Sequence, residues 1–254
     1  MKRNAQVDMG SCNAECPATI VHIPHASTVV PESIRPTLCL TDDELRHELL
    51  IMTDWFTDEL FALPKDLATA VVFPVSRLGV DPERFADDES EGMASRGMGA
   101  VYTKTSNGGS LRKDLSREER QGLLEAYYEP HHRSVEAAVN SALLEAGYAL
   151  LVDAHSFSSK PLPHEPDQAP SRCHICIGTN DFHTPPRLVE WLKDEFERLG
   201  LTVAVNRPFA GTFVPTRFYR VSQDVVSVMI EVNRSLYMGL IRQVCVLPRG
   251  ARRA

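Results

Sequence analysis

Short apolar runs alternate with longer amphipathic segments along this chain, and that alternation restricts the fold more than any other feature. It predicts strands at 18–23, 70–75, 100–103, 148–153, 173–178, 202–206 and 225–232, and helices at about 42–62, 117–146 and 185–199. Thr41-Asp-Asp-Glu44 and Ser116-Arg-Glu-Glu119 are capping boxes, in which a hydroxyl and a carboxylate satisfy the free N–H groups of a helix start. Leu45, Leu49, Met52, Phe56 and Leu60 form one apolar stripe on the first helix, as a face packed on a core requires. Gly147 and Gly200 stand just past the other two helices, where a left-handed C-cap residue belongs. Strands interleaved with helices predict an α/β fold, a mixed and mainly parallel sheet covered on both faces.

The stretches 86–113 and 157–172 interrupt this pattern. The first is acidic and then rich in Gly, Ser and Asn, and the second carries Pro161, Pro163, Pro166 and Pro170. Loops of this length are usually functional or disordered. Residues 1–17 read as a loose leader, 18–245 as a single domain and 246–254 as a basic tail. No apolar run is long enough to span a bilayer, and no secretory h-region follows Met1-Lys-Arg, so a cytoplasmic protein with reduced thiols is expected. The net charge of -7 disfavours nucleic acid as a partner. Cys173-His-Ile-Cys176 has a suggestive spacing, but the two thiols would point to opposite faces of a strand and read better as core residues.

Two of the apolar runs end in histidine: Ile20-Val-His22-Ile-Pro-His25 and Leu150-Leu-Val-Asp153-Ala-His155. In α/β proteins ligands bind beyond the carboxyl ends of the strands, and two imidazoles brought there suit a divalent metal. Pro24 ends the ladder and projects His25 into the crevice, which favours it over His22, read as a core or supporting residue. Asp153, two residues before His155, shares its face and could orient it. The strand Val225–Glu231 ends in a carboxylate, costly there unless it is paired, solvated or carries a proton. Asp54, in the middle of the first helix, and His131-His132, beside a Pro130 expected to kink the third segment, are further ligand candidates. Arg77, Arg84, Arg207 and Arg217 follow strands, and guanidinium forks suit carboxylates and oxyanions.

Pro24-His25-Ala-Ser27, Thr53-Asp54-Trp55, Ser76-Arg77 with Asp81 to Arg84, Pro130-His-His132, Asp153-Ala-His155-Ser156, Asn206 to Gly211, Thr216-Arg217 and Glu231 with Asn233 occur in this order. The ordered set, over about residues 18–238, resembles the N-formylglutamate amidohydrolase family, itself similar to the zinc carboxypeptidase and aspartoacylase group. The resemblance implies a three-layer α/β/α sandwich, one zinc ion, an activated water and cleavage of a linear amide in a small anionic N-acyl amino acid, as in histidine catabolism. A homo-oligomer is compatible with it. By analogy His25, Asp54 and His155 hold the metal, with His132 as the alternative ligand. Glu231 is the general base and Arg217 acts with it, while Arg77, Arg84, Arg207, Ser156 and Asn233 bind substrate. The family more often has Asp-x-Asn-Arg where this chain has Asp81-Pro-Glu83-Arg84. The added carboxylate disfavours a dianionic substrate unless Glu83 turns away. Competing readings are a peptidase or amidase of the same architecture, and a metal- or ligand-binding protein without catalysis.

Overall fold

The structure is a computed structural model that describes residues 18–238; the leader, the basic tail and the last residues assigned to the domain lie outside the described residues. Six strands form one sheet in the order β2-β1-β3-β6-β4-β5. They are β1 (Thr19–Ile23), β2 (Thr69–Val72), β3 (Ala149–Phe157), β4 (Ile175–Gly178), β5 (Val203–Val205) and β6 (Val225–Asn233). All neighbours run parallel except β4 against β6. The expected mixed, mainly parallel α/β sheet is what the chain forms.

Alternation along the strands sorts side chains between two faces. Ile20, Leu151 and Val225 pack with Val135, Val139 and Ala142 of α4 (Glu129–Ala146). Val228, Ile230, Ile175 and Ile177 pack with Leu188, Leu192 and Phe196 of α5 (Pro186–Arg198) on the other face. Each such buried aliphatic side chain contributes roughly 1.5–3 kcal/mol relative to exposure. A third cluster of Ile34, Phe73, Leu78, Met98, Tyr102 and Leu111 gathers the 86–113 loop around its own core. Among the described residues, no helix is long and apolar enough to cross a membrane.

Both capping boxes form, at the starts of α1 (Asp42–Met52) and α3 (Arg117–Leu123). Gly147 and Gly200 take the left-handed conformation, with φ of 78° and 79°. Three local expectations are corrected and one is met. The segment 100–103 is not a strand; it is buried in the loop cluster, where its apolar side chains fill space rather than a ladder. The helix expected over 42–62 stops at Met52 and resumes as the short α2 (Thr57–Leu60), after Phe56 adopts φ 62°. Asp54 therefore sits in a break, not mid-helix. The helix expected over 117–146 does deviate near Pro130, through a π-helical turn at Leu124–Tyr128 that leads into α4; proline has no N–H for the regular ladder. Finally, β3 runs on to Phe157, so His155 lies within the strand and not past its end.

Candidate active site

A cleft of about 430 Å³ opens over the carboxyl ends of β1, β3 and β6, on the face that carries α4. Parallel register puts Asp153 opposite His22 and Glu231 opposite His155, so four polar side chains from three strands share that face. Past Ile23, Pro24 frees the chain, and the carbonyl of His25 accepts a 3.0 Å hydrogen bond from the backbone N–H of Asp54. The break between α1 and α2 is thereby fastened to the end of β1.

His25, Asp54 and His155 converge. The two Nδ1 atoms are 3.3 Å apart, and Asp54 Oδ2 lies 3.0 Å from His155 Nδ1 and 3.7 Å from His25 Nδ1. Ligand atoms on a tetrahedral zinc ion, at about 2.0–2.1 Å from it, stand roughly 3.3–3.4 Å from one another. The opposite ring nitrogens are held by carboxylates. His25 Nε2–H donates to Asp81 Oδ1 at 2.9 Å, and His155 Nε2 faces Asp153 Oδ1 at 3.2 Å and Glu83 Oε2 at 3.0 Å. This is the arrangement in which a carboxylate orients and enriches a metal-binding imidazole. Asp54, Glu83, Asp153, Glu165 and Glu231 line the cleft beside Arg77, Arg84 and Arg234, so a divalent cation there would be met by several carboxylates. Residues and charge fit a zinc ion. Glu83 also brings a carboxylate oxygen within 4.8 Å of ligand atoms on His25 and His155.

Supporting contacts fix these groups. His22 is fully buried; its Nδ1–H donates to Asp153 Oδ1 at 2.9 Å, and its Nε2 accepts from His131 Nε2–H at 2.8 Å. Burial pushes His131 down to about 2 and keeps it neutral. Asp81 receives His25, the Arg77 guanidinium at 2.9 Å and the Tyr102 hydroxyl. Burial works against its charge, but His25 and Arg77 hold its carboxyl well below the usual range. His155 behaves in the reverse sense: burial disfavours its cation, yet Glu83 and Asp153 carry its pKa well above the ordinary value. Glu231 is different. Burial dominates and raises it to about 8, with His155 opposing. Its Oε2 has no hydrogen-bond partner.

The other expected site residues divide. Arg77, Arg84 and Ser156 line the cleft; the Ser156 N–H donates to Asp54 Oδ2 at 3.2 Å. Arg207 and Arg217 do not line it: their side chains are 70% and 67% exposed and bond Asp167 and Glu136. Asn233 is buried, donates to the Cys173 carbonyl and caps the turn after β6, a structural task. His132 lines the cleft, but its Nε2–H donates to the Pro82 carbonyl at 2.7 Å, and it makes no hydrogen bond to the His25, Asp54 and His155 set. Burial depresses its pKa to about 4. The Cys176 thiol is buried against the Phe209 carbonyl.

Sequence reasoning missed Arg234 as a site residue. Its guanidinium donates to Asp54 Oδ1 at 3.2 Å and to the Ile51 carbonyl at 2.7 Å, fastening the helix break to the end of β6. Its place one residue past a strand end was the available signal. The two long loops meet over the cleft: Arg96 donates to the His164 carbonyl at 2.7 Å, and His164 Nδ1–H donates to the Ser106 carbonyl at 3.1 Å. Within the second loop, Arg172 is buried on Glu165.

Fold and cleft together define an α/β protein with a histidine–carboxylate centre at the carboxyl edge of its mainly parallel sheet. The family profile described as N-formylglutamate amidohydrolase matches residues 18–238, and the chain belongs to that family. It is 29% identical over 226 residues to an N-formylglutamate deformylase of Pseudomonas putida, covering 86% of this chain and 81% of that protein. A deformylase of the same description from Pseudomonas aeruginosa is 28% identical over 227 residues, with the same coverage. The fold is shared with the crystal structure of an N-formylglutamate amidohydrolase from Ralstonia eutropha, with a TM-score of 0.75 at 24% identity over 89% of this chain and 85% of the other. A gene product of Agrobacterium tumefaciens follows, with a TM-score of 0.64 at 22% identity, over 91% and 86%.

Proposed function

We propose that this protein hydrolyses the amide bond of an N-acyl amino acid with the help of one bound zinc ion, and that N-formyl-L-glutamate, split to formate and L-glutamate, lies within its substrate range. The observation that carries the reading is Glu231: a buried carboxyl with one unpartnered oxygen, facing the cleft beside His25, Asp54 and His155. His25, Asp54 and His155 would hold the metal, which when bound supplies Lewis acidity and makes a water ionise near neutral pH.

The protein's own groups account for the remaining chemistry. Water adds to the acyl carbon, and Glu231 takes its proton. The same carboxyl then delivers the proton to the nitrogen as the C–N bond breaks, so acid and amine leave. Arg77, locked by Asp81 and by Tyr102 at 3.1 Å and lining the cleft, stabilises charge developing on the carbonyl oxygen. Arg84 anchors the substrate carboxylate. Arg234 and the Ser156 N–H hold Asp54 in place.

The names of the Pseudomonas relatives support the substrate class, and the donor set supports the metal. The test is formate release from N-formyl and N-acetyl amino acids, with acetate followed for the latter, with and without chelator and after return of zinc. Chelator-insensitive activity would remove the metal from the reading. No hydrolysis of any of them by zinc-loaded protein would remove the reaction.

A further inference from the structure

Among the described residues, four buried side-chain polar atoms have no hydrogen-bond partner: Glu83 Oε1, Arg84 Nε, Glu231 Oε2 and Arg172 Nε. Glu83, Arg84 and Glu231 all line the one cleft. Unpaired buried polar atoms are costly, and where they cluster they mark groups kept for a ligand. With Glu231 assigned to proton transfer, Glu83 and Arg84 are left to recognise substrate.

The cleft holds three guanidiniums, and two are committed. Arg77 donates to Asp81 and Tyr102, and Arg234 donates to Asp54, Ser156 and the Ile51 carbonyl. Arg84 makes no side-chain hydrogen bond; the nearest carboxylate oxygen, on Asp81, is 3.9 Å from its Nε. One free fork holds one carboxylate. The adjoining position carries the opposite charge. Asp81 Oδ1 accepts the Glu83 N–H at 3.0 Å, and the Glu83 carboxylate lies in the cleft wall, with Oε2 3.0 Å from His155 and a buried Oε1 that makes no hydrogen bond, 3.6 Å from His22. A second substrate carboxylate would meet it without a free cation to offset the repulsion. The wall also presents a group of apolar side chains, Met98, Phe157, Leu162, Phe209 and Phe213, among polar ones such as Asn180 and Thr212, and the cavity of about 430 Å³ has the size of pockets that bury a whole small molecule.

We propose that the cleft selects N-acyl amino acids with a single carboxylate and an apolar side chain over dicarboxylates, with Glu83 as the specificity-determining residue. This rests on the amidohydrolase reading for its reaction, but selectivity can be read without turnover.

In zinc-loaded protein, kcat/KM for N-formyl-L-methionine should exceed that for N-formyl-L-glutamate by about tenfold or more, and Glu83→Gln should shrink the ratio by about tenfold, chiefly through KM for the glutamate compound. An equal or reversed wild-type preference, or a ratio that Glu83→Gln leaves unmoved, overturns the proposal. Calorimetric binding of the same two compounds to zinc-loaded Glu231→Gln separates it from the reaction. Tighter binding of the methionine compound supports the selectivity even if the wild type hydrolyses neither, in which case only the hydrolase reading falls. Binding without discrimination overturns the selectivity while hydrolysis stands.

Discussion

His155 and Glu231 face each other in register on the parallel strands β3 and β6. One backbone spacing, about 4.8 Å between neighbouring strands, thus sets the imidazole proposed to hold the metal beside the carboxyl proposed to carry the proton. No loop intervenes, so the pair is held as rigidly as the sheet itself.

Replacing Glu231 by Gln should lower kcat by about 10²–10⁴-fold, the usual worth of a positioned general base. Zinc content should stay at the wild-type level, because Glu231 is outside the ligand set. Elemental analysis beside steady-state kinetics checks both, and retention of near-normal turnover would reject Glu231 as the base.

Removal of the metal should expose a pH signature. Burial raises Glu231 from 4.5 to about 8 in the metal-free protein, so the fold binds this proton more tightly than the unfolded chain does. The resulting stability is complete below pH 4.5 and is lost as the pH rises through about 8. Metal-free wild type should melt progressively lower than metal-free Glu231→Gln across that window. Thermal unfolding of both at several pH values tests the sign; a constant difference would mean that Glu231 is already ionised in the fold.

Asp81 receives His25, Arg77 and Tyr102 at once. Asp81→Asn should weaken zinc binding about 10–100-fold, the usual cost of losing a carboxylate behind a metal-binding histidine. Competition with a chromogenic chelator measures it. Unchanged affinity would show that His25 needs no such partner.

Three arginines that look alike in sequence should separate in kinetics. Arg84→Gln should raise KM by about tenfold or more, since it removes the free fork that holds the substrate carboxylate. Arg207→Gln and Arg217→Gln should leave kcat and KM within about twofold, because both side chains are exposed, pair with Asp167 and Glu136 and do not line the cleft. A large effect of Arg217→Gln would restore it to the catalytic set.

What the sequence by itself determined was whatever short-range physics dictates. Continuous apolar runs, as strands buried on both faces require, wrote β1, β3 and β6, the capping boxes wrote the starts of α1 and α3, and proline after β1 marked His25 as a residue released from the ladder. His155 and Glu231 were legible for the same reason, as polar residues at the far ends of apolar runs. Asp54 was legible as a candidate ligand but not as a break in a helix, because that break is stabilised by the His25 carbonyl and by Arg234, 180 residues away from it. Tertiary structure alone decided which arginines enter the cleft. A guanidinium on a long side chain goes wherever a carboxylate or carbonyl awaits it, and for Arg207, Arg217 and Arg234 those partners lie 40, 81 and 180 residues distant. Local pattern carries no information at that range, so the backbone frame of the site was readable from the chain, while the direction of its charges had to come from the fold.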